Sequence, residues 1–247
     1  MKILVIGGTG LIGKEVCKKL ESAGNEVIVG AASRGVNILT GEGLEEALAE
    51  TDIVIDLSNS KSPDGETALN FFRTAGKNLV AAEKIANVKH HLILSIVGTP
   101  LAQHIGYLQA KKQQEDAIAE SGIPYTIIRS TQFHEHISTI IAVQSEGKEV
   151  HVSTLDYQPI AAADVVSYIV KFALEKPKNG IVEIAGPDRG PMNEFVKKYL
   201  EEKREDKVVV SNEEDIYMSF VIPRSLLVPA GDFYPGEIRF DDWKKSS

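Results

Sequence analysis

The sequence predicts an α/β fold, a Rossmann-like doubly wound parallel sheet with a small C-terminal substrate lobe, and three observations carry that expectation. A β-branched run from Lys2 to Ile6 passes straight into the glycine-rich stretch Gly7-Gly8-Thr9-Gly10-Leu11-Ile12-Gly13. Further apolar runs of strand length follow at Glu26 to Gly30, Ile53 to Leu57 and Leu92 to Val97, with helical spacing between them. The chain has 247 residues, enough for one large α/β domain with a complete core.

The first strand and the glycines form a dinucleotide signature. Leu11, Ile12, Val16 and Leu20 have helical spacing, so a buried strand turns abruptly into a helix. Glycine at positions 7 and 10 permits positive φ and leaves no Cβ between backbone and ligand, so amide N–H groups and the helix dipole can face a pyrophosphate. Gly13 is expected to let the helix lie close on the sheet. Gly7, Thr9, Gly10, Leu11, Ile12 and Gly13 are therefore the candidate cofactor-binding residues here. The bland alternative is a tight turn with no ligand, but the strand before and helix after favour a nucleotide site. The Gly-x-x-Gly-x-x-Gly spacing resembles that of extended and atypical short-chain dehydrogenase/reductases.

Composition narrows the partners. A formal charge of −8 has no compensating basic block, which argues against nucleic acid. The single cysteine, Cys17, has no internal disulfide partner and suits a reducing compartment. The first strand begins at once, which leaves no room for a signal peptide, and no apolar run approaches membrane-spanning length. A cytoplasmic protein without membrane association, monomeric or homodimeric, is expected.

The end of the second strand bears on cofactor choice. An acid there pairs with ribose hydroxyls; Ala31-Ala32-Ser33-Arg34-Gly35 offers a hydroxyl and a guanidinium instead, chemistry suited to a 2′-phosphate. NADP(H) is thus preferred over NAD(H) through Ser33 and Arg34, the alternative being a merely polar turn. Gly43 to Ala49 reads as a small amphipathic helix. The third strand ends at Ser58-Asn59-Ser60, where Ser58 and Asn59 are expected to border the adenine and ribose, while Asp56 is left outside the site. Pro63 and Asp64 are expected to open a long helix to about Ala86. His90 and His91 point to opposite faces of a strand, a poor metal pair, and read as surface or satisfied polar residues.

Chemistry converges on the next strand and helix. Ser95 lies near a strand's carboxyl end, and Tyr107 and Lys111 are spaced to share a helix face. A nearby ammonium favours the phenolate, so Lys111 is expected to lower the pKa of Tyr107, the proton carrier, and to hold the nicotinamide ribose. Ser95 is expected to orient the substrate oxygen. Tyr199 and Lys203 repeat the interval on a charged helix and read as surface structure. Together, Gly7-x-x-Gly10-x-x-Gly13, Ser95-Ile96-Val97-Gly98, Tyr107-x-x-x-Lys111 and the stretch from Ser121 to Phe133 resemble the atypical short-chain dehydrogenase/reductases of the NmrA-like type, over nearly the whole chain. The resemblance implies that Thr131 lies along the nicotinamide, with Gln132 and Phe133 at the substrate. It also implies either reduction of quinones and other carbonyls or dinucleotide binding by a redox sensor. His134 and His136 lack a third ligand and a shared face if helical, so no metal site is expected.

The C-terminal part carries a strand at Glu149 to Ser153, a helix at Val165 to Leu174 with Asp164 capping it or bracing the preceding loop, a strand at about 181–185 returning to the main sheet, and a helix from Met192. The NAD(P)-binding domain is expected to span 1–148 and the substrate lobe 149–247. Apolar patches at 220–222, 226–228 and 233–235 are expected to close over the substrate cleft or sheet edge, and the tail from Lys244 to fray. The reading is an NADP(H)-dependent oxidoreductase moving hydride to or from a small carbonyl or quinone. Its rival is a redox-sensing regulator without turnover; a sugar-nucleotide epimerase is disfavoured because no arginine cluster suits a diphosphate.

Overall fold

The computed structural model describes residues 1–62 and 64–246. Pro63, expected to open a helix, lies outside the described residues. The chain falls into two compact units, neither continuous in sequence: Met1–Ser95, Gln103–Arg129 and Val166–Val182 make the first, and Ile96–Ala102, Ser130–Val165 and Glu183–Ser247 the second.

The chain runs β1 (Lys2–Ile6), α1 (Leu11–Ser22), β2 (Glu26–Gly30), α2 (Leu44–Leu48), β3 (Ile53–Asp56), α3 (Gly65–Ala86), β4 (His90–Ile96), α4 (Gly106–Ala119) and β5 (Tyr125–Ser130). It continues as α5 (Ile137–Gln144), β6 (Ser145–Glu146), β7 (Glu149–Ser153), β8 (Asp156–Tyr157), α6 (Ala162–Leu174), β9 (Gly180–Ala185), β10 (Gly190–Pro191) and α7 (Met192–Lys203). It closes with β11 (Val208–Asn212), β12 (Ile216–Tyr217), β13 (Phe220–Val221), β14 (Tyr234–Pro235) and α8 (Phe240–Ser246). The seven-stranded sheet has the order β14-β9-β5-β4-β3-β1-β2.

β1 sits between β2 and β3, parallel to both, with Ile3 paired to Val27 on one side and Ile53 on the other. The chain therefore leaves β1 in one direction and returns in the other. Right-handed crossovers then place α1 on the face opposite α2 and α3. Strand alternation agrees: Leu4, Ile6 and Val54 pack against Leu44, Leu48, Ala75 and Leu79 on a single face. Ile3, Leu4, Val5 and Ile6 are all buried, as a parallel strand covered on both faces requires. Because β1, β2 and β3 run the same way, the glycine loop, the turn after Gly30 and the segment after Asp56 all leave the carboxyl edge of the sheet. Asp64 caps α3 by accepting from Thr67 N at 2.9 Å, and Asn87 closes it in the left-handed conformation.

Within the second unit, β11, β7 and β6 form a three-stranded sheet, β8 pairs with β10, and β12 with β13. β14 pairs with β9 through Tyr234 and Ile184, so the apolar patch at 233–235 supplies a sheet-edge strand. Three expectations need correction. α6 begins at Ala162, three residues before Val165. Asp164 Oδ2 accepts from the amides of Glu237 and Ile238 at 3.0 and 2.9 Å, bracing the segment after β14 and not the one before α6. The tail from Lys244 does not fray before Ser246. Phe240 is buried edge-on to Phe195 at 5.0 Å, and Trp243 stacks on Tyr199 at 6.0 Å, so aromatic burial ties α8 to α7. Tyr199 is thereby a packing residue, with Lys203 over its ring.

Candidate cofactor and active site

The glycine loop is shaped by close backbone approaches. Gly7 has φ of +73°, and a Cβ there would lie 2.7 Å from Leu57 O. A Cβ on Gly13 would lie 2.2 Å from Gly7 O and 2.7 Å from Gly8 Cα, so Gly13 lets the helix close on the loop itself, not on the sheet as expected. Gly10 also departs from expectation: its φ is −76° and it is the extended N-cap of α1, its amide donating to Gly7 O at 2.9 Å. Thr9, Gly10 and Leu11 are exposed, whereas Ile12 and Gly13 are buried.

This end of α1 fits a pyrophosphate. Its first-turn amides have no acceptor within the helix, no side chain caps them, and its first turn holds no acid. Ser58 Oγ is buried with no partner among the described residues, in the segment whose Leu57 abuts Gly7. Cys17 lies against Gly8, and burial pushes its thiol up to about 11, which makes it a packing residue.

Ser33 and Arg34 form an exposed 3₁₀ turn between Ala31 and left-handed Gly35. Arg34 borders an open depression of about 560 Å³, shared with Ile28, Val36, Glu42 and Glu46. The guanidinium a 2′-phosphate needs is present, with two carboxylates in the same depression.

The Tyr107 and Lys111 side chains are oriented differently from the expectation. Tyr107 is half-buried on α4 and its phenol O–H donates to Asn59 Oδ1 at 2.7 Å, so Asn59 serves the tyrosine. Burial raises the Tyr107 pKa, partly offset by that hydrogen bond. The expected lowering by Lys111 does not occur. Lys111 Nζ turns inward, donating to Leu94 O at 2.9 Å and to Gln114 Oε1, 4.8 Å from the centre of the Phe72 ring. Burial brings its pKa down to about 8, against the pull of the Asp56 and Glu115 carboxylates. Ser95 is also enclosed. It is 2% exposed and its hydroxyl donates to Glu115 Oε1 at 2.6 Å, which gives it a buried carboxylate to satisfy in place of a substrate oxygen.

Thr131, Gln132 and Phe133 belong to the second unit. Thr131 N donates to Ile184 O at 3.1 Å and Gln132 O accepts from Ile160 N at 2.9 Å, while Phe133 bridges Ile160. Thr131 Oγ1 is buried with no partner among the described residues. His134 Nε2 lies 2.9 Å from Pro159 O, and among the described residues no His, Cys, Asp or Glu cluster suits a metal. Of the two readings of His90 and His91, surface or satisfied polar, the second holds: both are buried, and they meet Thr126 at 2.9 Å and Glu83 at 2.8 Å.

Sequence reasoning missed the buried polar set Asp56, Gln114, Glu115 and Arg129. A signal existed. Lys111, Gln114, Glu115 and Ile118 occupy one helical stripe, so polar residues stand where a buried face calls for apolar ones.

A family model described as NAD(P)H-binding matches residues 7–176. The photosystem II assembly factor Ycf39 of Synechocystis sp. is 26% identical over 188 residues, covering 70% of this chain and 57% of that protein. The chloroplastic divinyl chlorophyllide a 8-vinyl-reductase of Cucumis sativus is 26% identical over 225 residues, covering 76% and 53%. The chain thus spans between half and three-fifths of the length of these relatives. The NADPH-dependent quinone oxidoreductase QOR2 of Escherichia coli, solved with NADPH, superposes with a TM-score of 0.66 at 20% identity, covering 86% of this chain and 78% of that one. No helix among the described residues is long and apolar enough to cross a membrane. The match over residues 7–176, with the glycine loop and its open helix end inside it, places this chain in the NAD(P)H-binding family.

Proposed function

We propose that the chain is an NADP(H)-dependent oxidoreductase that acts on a small carbonyl or quinone, working in the cytoplasm as a monomer or homodimer. The observation that carries the reading is the Tyr107–Asn59 hydrogen bond, which holds a protonated phenol at the segment leaving β3, the strand beside the one that feeds the glycine loop. A nicotinamide dinucleotide supplies hydride. The glycine loop and the amides of α1 hold its pyrophosphate, Ser33 and Arg34 its 2′-phosphate, and Ser58 and Thr131 offer hydroxyls that have no partner among the described residues. Gln132 and Phe133 contact the substrate in this reading.

The raised pKa of Tyr107 sets a direction. A neutral phenol can give its proton to an alkoxide or to the anion of a hydroquinone, whereas oxidation of an alcohol needs the phenolate that burial disfavours. The phenol therefore suits the role of proton donor, with the substrate oxygen replacing Asn59 Oδ1 as the acceptor. Lys111 acts from beneath as a buried charge, and Ser95 takes no part.

One observation favours a second reading, a redox-sensing protein that binds the cofactor without turnover. Lys111 and Ser95 both face inward, so the Ser/Tyr/Lys group is not gathered around one reacting atom. NADPH titration followed by a panel of quinones and carbonyls separates the two. Turnover that falls at least roughly 100-fold in Tyr107→Phe, with NADPH affinity kept, supports the oxidoreductase. Tight NADPH binding with no turnover across the panel supports the sensor. Undiminished turnover in Tyr107→Phe removes Tyr107 from the chemistry.

A further inference from the structure

Asp56 was set aside on sequence grounds, yet it anchors a directed chain of buried hydrogen bonds. Lys111 Nζ donates to Gln114 Oε1, Gln114 Nε2 donates to Asp56 Oδ2 at 2.8 Å, and Ser58 N donates to Asp56 Oδ1 at 2.8 Å. The next residue, Asn59, accepts from Tyr107, which lies one helical turn before Lys111 on α4. The hydrogen bonds and the two short backbone segments therefore close a ring: Tyr107, Asn59, Ser58, Asp56, Gln114, Lys111 and back along α4.

The direction of each bond from Lys111 through Gln114 and Asp56 to Ser58 follows from chemistry. An ammonium only donates, so Gln114 must turn its oxygen to Lys111 and its amide nitrogen away. An acceptor must then meet that nitrogen, and the Ser58 amide requires a second one. A carboxylate supplies both. Asp56 is 5% exposed, Gln114 4% and Lys111 3%, so water does not compete for these positions. A buried polar strut of this kind is no better for stability than packed apolar side chains; its distinctive effect is to hold its members in one arrangement.

We propose that Asp56 is a positioning residue of the cofactor site, whose carboxylate, through Gln114 and the Ser58 amide, locks Lys111 and the Asn59 segment into a single unit that sets Tyr107. This rests on the reading of Tyr107 and Lys111 as residues of the cofactor site. Asp56 touches neither cofactor nor substrate and acts only through its neighbours.

The ring's polarity provides the test. In Asp56→Asn a donor faces Ser58 N–H or the Gln114 amide, and in Gln114→Leu the strut is cut. In the double variant D56N/Q114E the carboxylate moves one place along the chain at unchanged net charge. The new carboxylate at position 114 accepts from Lys111 and from the new amide at position 56, whose oxygen takes Ser58 N–H. Backbone amide exchange over residues 57–60 is read on the full chain without cofactor, and NADPH affinity is read by nicotinamide fluorescence. The single variants should exchange about tenfold faster there and bind NADPH about tenfold more weakly, while the double variant returns to within about twofold of wild type on both. Wild-type behaviour of Asp56→Asn, or a double variant no better than the singles, overturns the proposal. Wild-type protein that binds no NADPH, with the exchange pattern as expected, instead overturns the cofactor reading and leaves the strut purely structural.

Discussion

Arg129 grips the Glu115 carboxylate in two hydrogen bonds, Nε to Oε1 at 3.0 Å and Nη2 to Oε2 at 2.6 Å, with both side chains buried. Ser95 adds its hydroxyl to the same carboxylate. The pair satisfies β4, α4 and β5 together, and removal of either partner strands a charge. Glu115→Ala or Arg129→Met should destabilise the protein by roughly 3–5 kcal/mol in urea unfolding, and combining an apolar residue at each position should recover most of that loss. A single substitution costing less than about 1 kcal/mol would show that the pair is solvated.

Gly13 and Gly7 should be intolerant for different reasons. Alanine at 13 places a Cβ on Gly7 O, and alanine at 7 both meets Leu57 O and adopts a φ of +73°. Each should lower stability by roughly 1–3 kcal/mol and weaken NADPH binding, whereas Gly76→Ala, where no atom lies within 4 Å of the new Cβ, should stabilise α3 by about 1 kcal/mol. Thermal melts and NADPH titration of the three variants check this.

The depression beside Arg34 sets opposite charges against one another. On the proposed reading, in which the guanidinium meets the 2′-phosphate alone, Arg34→Ala should weaken NADPH binding about tenfold and leave NADH unchanged. Glu42→Gln and Glu46→Gln should each shift the balance towards NADPH by a few-fold at low salt, because both carboxylates line the same space. Equal titrations of the two cofactors by wild type would defeat the assignment.

Buried histidines should make stability fall in acid. His90 and His134 are held down to about 4 by burial, against 6.5 unperturbed, so the unfolded chain binds the extra protons in that interval. Stability should therefore rise with pH from about 4 to 6.5, by up to ~1.4 kcal/mol per pH unit for each histidine. His91 works with the opposite sign. Burial pushes its pKa down, but the Glu83 carboxylate, by charge and hydrogen bond, and Asp56 outweigh it and raise the value, so its contribution is full below 6.5 and is lost as pH rises through the folded value. Urea midpoints across pH 4 to 8 should pass through a maximum, and His134→Met should remove that residue's share of the acid-side slope.

Much of the first unit was legible from local pattern. Lys2 to Ile6 and Glu26 to Gly30 are short β-branched runs whose neighbours are set by parallel pairing, and Gly7 to Gly13 is a backbone motif that needs no distant partner to be recognised. The Tyr107–Lys111 interval was legible as a shared helix face, but its chemistry was not. Helical spacing cannot say whether a lysine reaches out to solvent or in to Leu94 O, nor that burial of the phenol itself raises its pKa. The helix that carries the tail from Lys244 was hidden for a related reason: Phe195 and Tyr199, which hold its Phe240 and Trp243, lie about 45 residues earlier in the chain.

Periodicity, glycine placement and a strand-to-helix turn are local properties, so the main elements and the glycine loop can be read from the chain alone. Which polar side chains are buried together depends on the packed fold. Asp56, Gln114, Lys111, Glu115, Arg129 and Ser95 come from two strands of the sheet, the strand beyond them and one helix, and each orientation depends on a partner that neither spacing nor composition reveals. In a low-dielectric interior each donor must find an acceptor, and that requirement, acting across the fold, sets which way Lys111 points and so what Tyr107 can do.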